Sequence, residues 1–212
     1  MVVVWIALGV NAVVDGILLI VEVDRAQFIY HARMGEPADA WFPWVEPLAL
    51  PAGALGLILF FVNLPLGLGW FYATYNNLFI LEVRGLSGSP GRAIATCFAP
   101  SRWYSRAHQI LQEIWRASNP DLPPDSDAWL TEAGSWLIRL WWGFFLARHL
   151  RISIVVMPFP FQNKLLLDVM LGASVLTSLA CISSIVAAGL FCVIMQRVLE
   201  RQWRRYELLQ GL

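Results

Sequence analysis

Four long stretches of this chain carry hydrophobic residues almost without interruption, and the polar residues gather between them. The first covers residues 2–23, which as a helix spans about 33 Å, enough to cross a lipid bilayer. Asn11 and Asp15 are its polar interruptions. The second, residues 48–80, is too long for one straight crossing and contains Asn63-Leu64-Pro65, followed by Gly67 and Gly69. Proline removes a backbone donor and crowds the preceding turn, so a kink or break is expected at Asn63 and Pro65. The third run is residues 128–150, and the fourth is 165–195. Along the fourth, Ala173, Thr177, Ala180, Ser184 and Ala188 make a stripe of small side chains, which lets helix backbones approach closely in lipid.

Between the second and third runs the period changes. Residues 102–117 place Tyr104, Ala107, Ile110, Leu111, Ile114 and Trp115 at three-and-four spacing, with Arg102, Arg106, His108, Gln109, Gln112, Glu113 and Arg116 opposite. Ser101 can cap this helix, and Ser118-Asn119-Pro120 ends it. The pattern predicts an amphipathic helix lying in the membrane surface, the alternative being a helix packed on other protein. The expected fold class is therefore all-α: an integral membrane four-helix bundle with an interfacial helix between spans two and three, in one domain covering residues 1–212.

Composition supports this reading. Of 212 residues, 58% are hydrophobic and 14% charged, whereas a soluble domain carries roughly 25% charged residues. Net charge is zero, which gives no footprint for nucleic acid. The N-terminal run has no basic lead-in and no small-residue cleavage site, so it reads as a retained span. With the N-terminus inside, nine Lys or Arg residues fall on the cytoplasmic side, five fall outside, and Arg139 lies within a span. That bias predicts both termini in the cytoplasm.

Three segments resemble a known bacterial family, the domain-of-unknown-function 4328 membrane proteins. The first is Trp70 followed by Asn77-Leu78 at the end of the second span. The second runs from Ser89-Pro90-Gly91 through Pro100 to Glu113-Ile-Trp115-Arg-Ala-Ser118, and the third is the pair Trp141-Trp142. Ala73 and Asn76 stand where basic residues are expected beside the first motif. The resemblance implies a four-span protein of the bacterial inner membrane with a surface helix after span two. It implies no activity.

Asp15 and Arg139 fall at similar depth in the first and third runs. A lone charge there costs a few kcal/mol, so an Asp15–Arg139 pair is expected, helped by Asn11 and Asn63. Such a pair either fixes helix register or belongs to a proton or ion path. Of the three histidines, His31 lies in a loop and His108 on the surface helix. His149, at the end of the third run, is the one candidate axial ligand to a haem or chlorophyll-type pigment, with an interfacial histidine as the ordinary alternative. Cys97, Cys181 and Cys192 have no metal-type spacing, and no catalytic signature is present. The basic run from Arg197 to Arg205 can attract anionic headgroups or simply set topology. These features favour a non-catalytic accessory or scaffolding subunit that packs through its spans against lipid and other membrane subunits. The alternative is a small transporter or channel using the Asp15/Arg139 pair and a broken second span.

Overall fold

The computed structural model describes residues 2–36, 46–97, 103–123, 127–150 and 164–211. Six helices account for most of them: α1 (Val2–Arg33), α2 (Ala49–Ile80), α3 (Pro90–Cys97), α4 (Trp103–Ala117), α5 (Trp136–Ala147) and α6 (Lys164–Gln210). Short 3-10 turns occupy Glu46–Leu48, Ala128–Thr131 and Arg148–Leu150. The described residues contain no strand, and the fold is an all-α helical bundle.

Three helices, α1, α2 and α6, are long and apolar enough to cross a membrane. Their lengths differ from expectation in informative ways. The first helix continues to Arg33 rather than ending at residue 23. An Arg25–Glu22 bridge of 2.8 Å stabilises its added turns, and Ile29 is buried with Leu167 and Met170. α2 runs unbroken through Pro65, which corrects the expected break. Apolar helices tolerate an internal proline because neighbouring groups and local adjustment satisfy the freed carbonyl. The last helix, at 47 residues, extends about 70 Å, well past the apolar run that ends near residue 195.

The third run is the largest departure. Residues 128–150 do not form one helix; a 3-10 turn gives way to a non-helical stretch, and α5 begins only at Trp136. With 12 residues it is about 18 Å long, against a hydrocarbon core of about 30 Å. The described residues thus give three full-length candidate spans and one short apolar helix.

The chain divides into two compact units. One comprises Trp5–Val62 and Gly143–Ala188. Within it α1 and α2 pass closely, where a Cβ added at Gly56 would lie 3.8 Å from Val14 Cγ1. Arg33 Nε meets Asp168 Oδ1 at 2.7 Å, tying α1 to the start of α6. Ala173, Ala180 and Ser184 of the small-residue stripe are buried, while Thr177 and Ala188 are half-buried.

The other unit comprises Met1–Val4, Asn63–Trp142 and Gly189–Leu212. Here Ile110, Leu111, Ile114 and Ala117 of α4 are buried. This stripe faces protein, as the alternative reading of the amphipathic pattern had it. Phe191 of α6 stacks on Trp141 at 5.2 Å and meets Trp70 edge-on at 5.3 Å. One phenylalanine thus joins α2, α5 and α6.

Candidate functional site

The polar chemistry of the second unit collects where α2 ends, α4 ends and the last turns of α6 pass. Along α6 the spacing Phe191, Met195, Val198, Gln202, Arg205 keeps one face inward, and all five are buried. Gln202 and Arg205 therefore enter protein on the same stripe as the apolar residues before them. A buried amide or guanidinium is costly unless its donors find acceptors.

Gln202 finds them. Its Nε2 donates to the Thr74 carbonyl at 2.9 Å and to Ser118 Oγ at 3.2 Å, while its Oε1 accepts from Asn77 Nδ2 at 3.0 Å. Thr74 in turn donates its hydroxyl to the Trp70 carbonyl at 2.6 Å. One side chain thus links α2, the residue after α4, and α6.

Arg205 closes the end of α4. Its Nη1 donates to the carbonyls of Ala117 at 2.9 Å and Asn119 at 3.0 Å, and Nη2 reaches the Pro123 carbonyl at 3.4 Å. The last carbonyls of a helix lack intrahelical partners and carry the negative end of its dipole, so a guanidinium is a fitting cap. One helical turn earlier, Arg201 lies 4.4 Å above the Trp115 ring and 3.3 Å from Glu132 Oε1. That same oxygen accepts from Asn119 Nδ2 at 2.9 Å.

Two further ties fix α4 to the segments beside it. Gln112 is buried and grips the backbone of Ser135 in both directions: Nε2 donates to its carbonyl at 2.9 Å, and Oε1 accepts from its N–H at 2.8 Å. The approach is so close that a Cβ on Gly134 would come within 2.6 Å of Gln112 Oε1, so any larger residue must displace that side chain. This clamp holds residues 132–135 out of the helix and explains why α5 starts at Trp136. Glu113 accepts from the Ser87 N–H at 2.8 Å, the Ser87 hydroxyl at 2.7 Å and the Tyr75 hydroxyl at 2.9 Å. It thereby anchors the turn after α2.

His108 faces α5, with its ring 6.0 Å from that of Trp142. Burial holds its pKa below the ordinary 6.5, and the charges of Arg139 and Arg116 lower it further. Outside these ties an open groove of about 470 Å³ runs along Asn77, Ile80, Leu81, Leu199, Trp203 and Tyr206.

The motif residues largely converge in this unit: Trp70 and Trp141 on Phe191, Asn77 on Gln202, Trp115 under Arg201 and Trp142 beside His108. Pro90 opens α3 at the first helical position, where its missing N–H costs nothing. Pro100 lies outside the described residues.

Asp15 and Arg139, the expected pair, fall in different units, each described by itself. Asp15 is 4% exposed and accepts from Asn11 Nδ2 at 2.7 Å, one turn away on the same helix. Arg139 is exposed on the first turn of α5 rather than mid-span, and donates to the Gly134 carbonyl at 3.4 Å. Asn63 is half-buried and Pro65 exposed within continuous α2. His149 is exposed in the turn after α5, its Nδ1–H donating to the Phe145 carbonyl at 2.8 Å. Among the described residues no three His, Cys, Asp or Glu side chains gather where a metal ion could sit.

Gln202, Thr74 and Ser87 were not singled out from the sequence, nor were the inward roles of Arg205, Ser118 and Gln112. The signal for Gln202 and Arg205 was their three-and-four spacing from Val198.

Residues 45–200, most of the chain, match the family model of the Domain of unknown function (DUF4328). No curated protein and no solved structure matches.

Proposed function

The chain belongs to the DUF4328 family, and we propose that it is a non-catalytic accessory or scaffolding subunit of a complex in the bacterial inner membrane. In this reading both termini are cytoplasmic and α5 is a short third crossing, in keeping with the excess of basic residues on the side of the C-terminal arginines.

The observation that carries the proposal is the surface of α2. Over its first half, before Asn63, the inward face is narrow, with Ala52 and Leu59 buried. Leu57, Ile58, Phe61 and Val62 are exposed around the rest of the helix. In lipid, helix association draws on close packing rather than on removal from water, and an apolar half-helix with so little of its own protein around it suits a neighbouring span. The side chains of Gln202, Arg205, Gln112 and Glu113 support the same reading, because their hydrogen bonds join helices, turns and helix ends to one another.

Native mass spectrometry of complexes extracted directly from the membrane tests this. A stoichiometric membrane protein should accompany the chain and should be lost when Leu57→Ala and Phe61→Ala are combined. A monomer in both samples would overturn it.

The transport reading retains one favourable observation, the buried Asp15 with Asn11 in α1.

A further inference from the structure

The open groove between the end of α2 and the last turns of α6 is apolar, and what charge it carries is negative. Ile80, Leu81, Leu199, Trp203 and Tyr206 supply the apolar surface, and Ile80 and Trp203 are each 63% exposed. Among the described residues Glu200 is the one charged residue lining it. Its carboxylate accepts from Gln196 Nε2 at 3.0 Å. The Glu207 carboxylate, one turn on from Trp203, accepts from the Trp203 indole N–H at 2.6 Å. Both donors are neutral and belong to α6 itself, so they leave the charge of each carboxylate uncompensated.

The end of α2 adds to that sign. Its last turn, which supplies Asn77 and Ile80, carries the negative end of a helix dipole and holds no basic residue. The arginines of α6 lie elsewhere: Arg201 on Glu132 and the Trp115 ring, Arg205 on the end of α4. Arg197 and Arg204 are exposed seven positions apart, on a stripe that does not line the groove. The groove also lies past the apolar run of α6, which ends near residue 195; Leu199 is about 6 Å beyond that point and Tyr206 about 17 Å. Apolar surface there meets headgroups and water rather than hydrocarbon. With the C-terminus in the cytoplasm the facing headgroups are anionic and repel carboxylates, so lipid is a poor cover for this face.

We propose that the groove is the docking site for an amphipathic helix of a partner protein that bears Lys or Arg beside its apolar face. The apolar face lies along Ile80, Leu199 and Trp203. The cations meet Glu200, Glu207 and the rings of Trp203 and Tyr206, whose centroids are 6.0 Å apart. From Leu199 to Tyr206 the wall is about 10 Å long, two turns of helix, which suits a helical segment better than a small molecule. The site uses none of the exposed residues 57–62 of α2 and stands without the accessory-subunit reading.

The test uses the full chain in phosphatidylcholine nanodiscs and the fluorescence anisotropy of three short labelled peptides. One is an amphipathic Leu/Lys helix, one its Leu/Glu counterpart, and one a Leu/Lys peptide of the same composition with the apolar face scrambled. The first should bind the protein more tightly than either control. Glu200→Gln/Glu207→Gln should weaken that binding about fivefold, Trp203→Ala by a similar factor, and Arg204→Gln should not weaken it. Glu200→Lys/Glu207→Lys should reverse the preference in favour of the Leu/Glu peptide. Equal binding of the three peptides, unchanged affinity in the glutamine variant, or no reversal in the lysine variant would each overturn the proposal. A photo-crosslinking amino acid in place of Tyr206 identifies the occupant directly. It should give an adduct with the basic amphipathic peptide; adducts with lipid alone, or with a second copy of the chain alone, at saturating peptide would overturn the site as well.

Discussion

The side chain of Gln202 donates to the main-chain carbonyl of Thr74 at 2.9 Å, across 128 positions of sequence. Because the same amide also engages Asn77 and Ser118, its loss takes a partner from three polar groups, of which Thr74 and Ser118 belong to buried residues. Leaving a buried donor or acceptor unmade costs about 1–3 kcal/mol. Gln202→Leu should therefore lower the Tm in detergent by several degrees, measured by intrinsic fluorescence. Glu at this position should do worse, since a carboxylate cannot donate to the Thr74 carbonyl.

Gly134→Ala should break the clamp between Gln112 and Ser135. The added methyl would lie 2.6 Å from Gln112 Oε1, which must swing away and abandon both backbone bonds. The expected cost is about 2 kcal/mol, and it should not add to that of Gln112→Ala, because both changes remove the same contact. A double-mutant cycle by thermal unfolding checks the coupling.

Arg205→Ala should release the end of α4. The carbonyls of Ala117 and Asn119 would lose their shared donor, at a cost of about 1–3 kcal/mol. Arg205→Lys should recover only part, because an ammonium lacks the fork that spans several carbonyls. Hydrogen exchange at residues 114–119 should accelerate in the alanine variant and less so in the lysine one.

His108 makes stability depend on pH. Its folded pKa lies below the ordinary 6.5, so the unfolded chain takes up the proton first as pH falls. Its contribution is fully present above about pH 6.5 and declines as pH drops below that value. The groups that set this are burial first, then Arg139 and Arg116. Tm followed from pH 8 to pH 5 should fall less in His108→Gln than in the wild type; parallel profiles would contradict the assignment.

The legible part of this fold was what depends on local pattern. Unbroken apolar runs placed α1, α2 and α6, and three-and-four spacing placed α4. The misjudged parts depend on contacts distant in sequence. Residues 128–135 read as the start of a span because they lead directly into an apolar run, yet Gln112, 23 positions away from Ser135, holds that backbone in a non-helical path. Pro65 looked like a break, but a proline on the exposed face of an apolar helix costs one hydrogen bond and leaves the helix continuous. Arg205 and Gln202 read as part of a basic tail, yet their three-and-four spacing continues the buried stripe of Phe191, Met195 and Val198. The motif residues Trp70, Asn77, Trp115 and Trp141 were visible as a pattern, while their role in packing required the partners Phe191, Gln202 and Arg201.

The accessory-subunit reading turns on what touches α2 in the membrane. A photo-crosslinking amino acid placed at Phe61, on the exposed face, and at Leu59, on the buried one, measures this directly. The account predicts that position 61 gives one discrete adduct with a second membrane protein, and that position 59 crosslinks only within the chain. Lipid adducts alone at position 61 would contradict it.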